Sequence, residues 1–204
     1  MQYGFYFNQN RCMGCFACIV ACKDWHDVPA GPVSWIRIKT IEKGRYPDLS
    51  VSFLPQLCVH CASPACAAVC PADAITKRGE DGVVVVDSEA CLGSTCGLCL
   101  DECPYGAPQF GAEEDAKMQK CDLCIERISI GKKPICVSSC PMYALDAGPL
   151  DELWAKYGKC REIEGFEYSE NVIPSIVFTP RKNSGNSRIR KIEIAPSVKT
   201  ATSG

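Results

Sequence analysis

Tyr3 to Asn8 sets aromatic residues against small or polar ones, which predicts a short strand running into a cysteine-rich loop. Ser34 to Ile41 alternates again: Trp35, Arg37 and Lys39 fall on one side, Ile36, Ile38 and Thr40 on the other, as in a half-exposed strand. Glu42 to Pro47 form the turn after it, and Val51 to Pro55 lead into the next cysteines. Ala74 to Lys77 and Gly82 to Asp87 predict a hairpin over the turn Arg78 to Gly82. Ala112 to Met118 and Cys124 to Gly131 each predict a short helical turn, and Leu150 to Gly158, with apolar residues three and four apart, an acidic start and a Lys-x-Gly end, predicts a helix. Pro174 to Pro180 reads as a last strand. Arg181 to Gly204, rich in Ser, Lys and Arg, has little to bury and predicts an arm on a partner subunit or a mobile tail.

Between these short elements lie the cysteines. Sixteen of the chain's 17 fall into four quartets, and only Cys160 is left over. The quartets are Cys12, Cys15, Cys18, Cys22; Cys58, Cys61, Cys66, Cys70; Cys91, Cys96, Cys99, Cys103; and Cys121, Cys124, Cys136, Cys140. The last three end in the shared frame Cys-Pro-x-x-Ala, at Cys70, Cys103 and Cys140, so one supersecondary unit recurs along the chain. The first ends instead in Cys22-Lys23.

At 204 residues the chain suits one domain or two small ones. Without the thiols its apolar share falls below two-fifths, a lean core for the length, so bound metal must contribute to folding. The formal charge of −2 gives no sign of nucleic-acid binding. Four oxidised four-iron clusters, each roughly −2 with its thiolates, would bring the assembled charge to about −10 and call for backbone N–H groups near the sulfurs. The first residues lack a basic region and an apolar run of signal-peptide length, and no segment has the length of a membrane span, which predicts a cytoplasmic chain without direct membrane insertion.

Three thiolates within about seven residues can wrap one face of a cubane cluster, leaving the fourth iron to a distant cysteine. In two-cluster ferredoxins the last cysteine of the run, followed by proline, ligates the other cluster of the pair. Zinc sites pair two knuckles of two cysteines across a longer spacer, and disulfides need no such spacing, so the quartets point to iron–sulfur. Cys61-x4-Cys66 and Cys91-x4-Cys96 each hold two extra residues and Cys124-x11-Cys136 many more, as bulges that leave the ligands in place.

Taken together the motifs resemble the four-cluster electron-transfer subunits of the dimethyl sulfoxide reductase superfamily of molybdopterin enzymes. The likeness covers roughly residues 3 to 180 and is carried by Gly4 to Asn8, the order of the quartets, Met118 to Cys124, Gly131 to Pro134 before Cys136, and Ala144 to Leu153. Cys91-x4-Cys96 departs from it, since the family commonly has two residues there. The resemblance implies that first and fourth quartets pair, and second and third. One [4Fe-4S] cluster would be held by Cys12, Cys15, Cys18 and Cys140, and its neighbour by Cys121, Cys124, Cys136 and Cys22. The inner pair would be held by Cys58, Cys61, Cys66 with Cys103, and by Cys91, Cys96, Cys99 with Cys70.

The expected fold is therefore α+β: two ferredoxin-like two-cluster modules, one nested in the other, with short strands and helices, long loops and a C-terminal extension. Residues 1–50 with 104–150 form the outer module, 51–103 the inner, and 151–204 the extension. The implied function is electron transfer between a large molybdopterin (Mo or W) catalytic subunit and a membrane quinone-reactive subunit or soluble carrier, without chemistry of its own. The same wire serving a hydrogenase or a formate-linked complex is the alternative. Export folded with a partner subunit would put it in the periplasm. Of the remaining residues, His26 and His60 read as supporting or surface imidazoles, Lys23 and Trp25 as packing beside Cys22, and Cys160 as a plain thiol.

Overall fold

The computed structural model describes residues 1–182. Strand β1 (Tyr3–Asn8) is the centre of a three-stranded sheet, with β6 (Leu145–Pro149) antiparallel on one side and β7 (Ile176–Thr179) parallel on the other. Two hairpins complete the strands, β2 (Ile36–Lys43) with β3 (Ser50–Leu57), and β4 (Ile75–Lys77) with β5 (Val84–Val86). The helices are short: α1 (Ala17–Trp25), α2 (Ala65–Ala68), α3 (Leu98–Asp101), α4 (Ile125–Ser129), α5 (Ile135–Ser138) and α6 (Leu150–Tyr157). Helix α1 packs on α5, which brings the first quartet to the fourth, and α2 packs on α3, which brings the second to the third.

Alternation along β1 divides the core. Phe5 and Phe7 face Ile176, Phe178 and the cysteine loops, whereas Tyr6 faces Val177 and Leu153 of α6, with Tyr157 stacked on its ring at 3.5 Å. The larger core is continuous through both halves of the chain, joining Phe5, Leu54, Val83 and Leu123 to the thiols of Cys22, Cys58, Cys121 and Cys136. A smaller one gathers Ile75, Val84, Cys99 and Met118. Cysteine sulfur thus fills volume that hydrocarbon would otherwise fill.

Asp146 ties α6 and the α4–α5 loop to the sheet. Its carboxylate accepts from Lys133 at 2.8 Å, Lys156 at 3.1 Å and the Tyr157 hydroxyl at 2.7 Å. Burial alone would raise this carboxyl, but hydrogen bonds from Lys133, Tyr157, Lys156 and the Ala147 N–H outweigh it and hold the group down at about 2. A depressed carboxyl stabilises the fold above its unfolded value, near 4, and loses that effect as pH falls toward the folded value. Both lysines are largely exposed, so screening reduces the gain. Asp146→Asn is expected to lower the stability of the metal-loaded protein by about 1–2 kcal/mol, read as a difference in anaerobic melting that stays constant from pH 8 to 5.

Most predicted elements are present at shifted ends. Strand β3 continues through Pro55, which pairs with Ile38 on the edge of a two-stranded sheet, where a missing N–H is tolerated. The β2–β3 hairpin straddles residue 50 and so joins the outer segment to the inner. One expectation needs correction. No helix forms over 112–118, where Asp115 takes φ 58° and breaks any helical run. Helix α1 has no counterpart among the predicted elements. Strand β7 joins the sheet beside β1 and α6 packs on it, and the expected tail falls almost wholly outside the described residues.

Candidate iron–sulfur centres

Turned backbone, repeated from loop to loop, places the thiols. Within the Cys-x2-Cys stretches a positive φ falls just before or after a cysteine, at Gly14 (67°), Phe16 (61°), His60 (46°), Gly97 (60°) and Leu123 (62°). Three residues past the last cysteine of each Cys-Pro-x-x-Ala frame another occurs, at Asp73 (50°), Gly106 (55°) and Tyr143 (49°). Such bends turn successive N–H groups inward, forming a concave nest for negative charge. The sulfurs receive them: Gly93 N–H donates to Cys91 Sγ at 3.4 Å, Leu123 to Cys121 at 3.4 Å, Ala107 to Cys103 at 3.4 Å and Ala144 to Cys140 at 3.3 Å. These bonds supply the compensation that a buried cluster charge requires. Non-glycine residues in this region cost about 1–2 kcal/mol each, so the strain at Phe16, Leu123 and Tyr143 has to be offset by what the loops hold.

The same bends start helices. Phe16, Gly97 and Cys124 are the left-handed caps of α1, α3 and α4, and none makes a side-chain cap bond. Cys18 and Cys22 therefore ride one turn apart on α1, pointing to different neighbours.

Four groups of thiols result. Cys12, Cys15, Cys18 and Cys140 line one cavity, together with Gly14, Ile38 and Pro55. Cys70, Cys91, Cys96 and Cys99 line another, so Cys91 and Cys96 reach one site across the longer spacing between them. The remaining eight declare themselves by mutual repulsion. Burial, then the charges of Cys58, Cys103 and Cys66, push the Cys61 thiol far up, and burial followed by Cys58 raises Cys66 to about 12. Cys136 is driven well up by burial first and then by Cys124 and Cys22; Cys22 is raised to about 12 by burial, Cys124 and Asp122. Cys121 is likewise well above the ordinary range through burial, Cys136 and Cys58. Metal must displace protons from all of these, so binding strengthens as pH rises.

The groups also feel one another's charge. Cys18 acts on Cys22 and Cys136, linking the first group to the second, and Cys58 acts on Cys121, linking the second to the third. Cys66 on α2 and Cys70 just after it belong to different groups, as do Cys99 on α3 and Cys103. Four sulfurs gathered at one place, with N–H donors to the sulfurs, fit a cubane iron–sulfur cluster.

Other residues take roles that the sequence shows only in part. His26 Nε2 lies 3.3 Å from Cys124 Sγ and 3.7 Å from Asp122, its ring tilted on Trp35, so it is a supporting imidazole rather than a surface one. His60 is fully buried, with Nδ1 accepting from the Val84 N–H at 3.1 Å. Lys23 bonds the carbonyls of Pro29 and Gly31, holding the loop after α1, and Trp25 bonds Glu126 beneath the Arg127 guanidinium. The Cys160 thiol donates to Glu162 O at 3.2 Å and joins none of the four groups. Lys120, buried beside Cys121, falls in the Met118 to Cys124 stretch, where nothing in the sequence marks it as buried.

Two family models, each described as a 4Fe-4S dicluster domain, match residues 49–150 and 11–74. The B component of the anaerobic dimethyl sulfoxide reductase of Escherichia coli K12 is 44% identical over 191 residues, covering 90% of this protein and 91% of that one. The B component of the sulfite dehydrogenase of Allochromatium vinosum is 37% identical over 163 residues, 70% of this protein and 67% of that one. The formate dehydrogenase iron–sulfur subunit of Wolinella succinogenes is 36% identical over 173 residues, with shares of 73% and 82%.

Proposed function

The chain belongs to the iron–sulfur electron-transfer subunits of molybdopterin oxidoreductases, and from that premise we propose that it is a linear four-cluster relay with no catalytic site of its own. The ligand sets are Cys12, Cys15, Cys18 with Cys140; Cys121, Cys124, Cys136 with Cys22; Cys58, Cys61, Cys66 with Cys103; and Cys91, Cys96, Cys99 with Cys70. Each bound [4Fe-4S] cluster supplies one reversible one-electron step. The thiolates fix the irons, the nest N–H groups stabilise added negative charge, and the buried core keeps water from the middle of the path. With all four irons of a cluster held by thiolate, no coordination position stays open for a substrate.

The observation that carries this reading is the grouping of thiols across the sequence, Cys140 with Cys12 and Cys22 with Cys136, against the order of the quartets. It supports two nested modules in the wire order Cys12 group, Cys22 group, Cys58 group, Cys70 group. One end of the wire serves a molybdopterin catalytic subunit, the other a membrane quinone-reactive subunit or a soluble carrier. Among the described residues no helix is long and apolar enough to cross a membrane, so a membrane connection would run through a partner. Likeness along 90% of the chain favours a partner acting on sulfoxide-type acceptors; the formate dehydrogenase relative keeps a formate-linked engine as the second reading.

Anaerobic affinity purification of the chain from its own cells tests this. A co-purifying large subunit containing molybdenum or tungsten is expected, whose substrate reoxidises the dithionite-reduced clusters of the complex. A tight partner lacking both metals, or clusters that substrate cannot reoxidise or reduce, would contradict it.

A further inference from the structure

Lys120 is the only lysine or arginine among the described residues that is buried, at 4% exposure. Its ammonium donates to the backbone oxygens of Val84 and Cys121, the second at 3.1 Å, and no salt bridge among the described residues reaches it. Carbonyl dipoles satisfy hydrogen bonds but leave the charge unpaired, and an unpaired buried charge is strongly unfavourable unless an opposite one faces it. The other buried charged side chain, Asp146, is engaged with Lys133 and Lys156.

The negative partner has to be sought among the sulfurs. Lys120 directly precedes Cys121, and Val84, whose carbonyl it bonds, packs in the smaller core that Cys66 flanks and donates its N–H to His60, in the loop between Cys58 and Cys61. It therefore stands where the third group of thiols meets the second. His60, on the other side of Val84, cannot be the counter-charge. Its Nδ1 accepts from the Val84 N–H, so the ring is neutral with its one proton on Nε2, which has no partner among the described residues. Lys120 and His60 thus hold the C=O and the N–H of the same residue, Val84, and share a wall with a charge and a free N–H still to spend on an anion.

We propose that Lys120 is the built-in counter-ion of the cluster held by Cys58, Cys61, Cys66 and Cys103, raising its midpoint potential so that an electron crossing between the two modules is held at this site. The proposal rests on the ligand sets given above. One electron taken from the neighbouring cluster adds one negative charge beside a fixed ammonium. The reduced form gains more from that ammonium than the oxidised form does, and burial prevents water from screening the difference. A bland alternative exists: Lys120 only ties β5 to the Cys121 loop.

Lys120→Met, Lys120→Gln and Lys120→Arg separate the two in the anaerobically purified, metal-loaded protein. Midpoints are read by potentiometric titration of the reduced-state paramagnetic signals, with Cys66→Ser marking the signal of the site concerned. The expected result is that sixteen irons remain, that the marked signal moves to lower potential in Met and Gln, that Arg restores it, and that the other signals hold. Loss of that site's irons in both neutral variants but not in Arg is the extreme form of the same requirement. An unmoved midpoint in Gln, which keeps donors but not charge, or an equal shift or iron loss in Arg, overturns the proposal. Failure of the ligand sets looks different: Cys66→Ser and Cys103→Ser would then alter different signals, whatever Lys120 does.

Discussion

Stripping iron from the reduced protein with a chelator under anaerobic conditions is expected to unfold it, removing its whole cooperative transition rather than weakening it by a few kcal/mol. Isolated helices below about 12–15 residues are marginal in water, and among the described residues the longest has 9, while four of the six have 4 or 5. Two of the three sheets among those residues are lone hairpins, which are also marginal alone. The larger core is built around four thiols that are metal ligands in the proposed sets, and the strained turns at Phe16, Leu123 and Tyr143 all lie in or beside the cysteine loops. The stability of an ordinary domain, about 5–15 kcal/mol, therefore has to come here from ligation, as in other small metal-folded domains. The sign with pH follows from the thiols: burial raises them, so protons compete better with iron as pH falls, and release should be easier at pH 6 than at pH 8. Far-ultraviolet circular dichroism with hydrogen exchange reads the result. An iron-free chain that still melts cooperatively and protects the amides of β1 would contradict it.

Cys22→Ser should leave the cluster of its own sequence neighbours intact and strike one formed about a hundred residues later. If ligation were local, loss of the Cys22 thiolate would disturb the cluster of Cys12, Cys15 and Cys18. The packing opposes that, since α1 lies against α5 and sets Cys22 beside Cys124 and Cys136. Serine offers a harder, more basic oxygen than thiolate, so the affected cluster should shift in potential or lose that iron and become a three-iron centre. Cys140→Ser should do the same to the Cys12 cluster, whose cavity it lines. Each variant is expected to alter one paramagnetic signal of four, and the two signals must differ.

Strands were legible because a two-residue alternation survives even in short segments, as Phe5 and Phe7 against Tyr6 show. Helix α1 was not, because Ala17 to Cys22 is apolar on every side and its start is marked by Phe16 in a left-handed turn instead of by a capping serine or aspartate. The opposite error occurred at 112–118, where helix-forming Ala, Glu and Lys outweighed, on paper, the positive φ that Asp115 adopts in an exposed turn. Cysteine spacing made the ligands readable. The bends that aim them were visible only where Gly14, Gly97, Gly106 or Asp73 stands, residues that take positive φ readily; Tyr143 occupies the same place as Gly106 and Asp73 with no such signal. His26 beside Cys124 and Lys120 beside the Cys58 group depend on approaches across the fold that no local pattern encodes.

The crossed ligation is the claim on which the nested modules and the wire order both depend. A crystal structure of the metal-loaded protein, phased at the iron edge, tests it by asking which three sulfurs share a cubane with Cys22 Sγ. Cys121, Cys124 and Cys136 are the expected three; finding Cys12, Cys15 and Cys18 there would contradict the account.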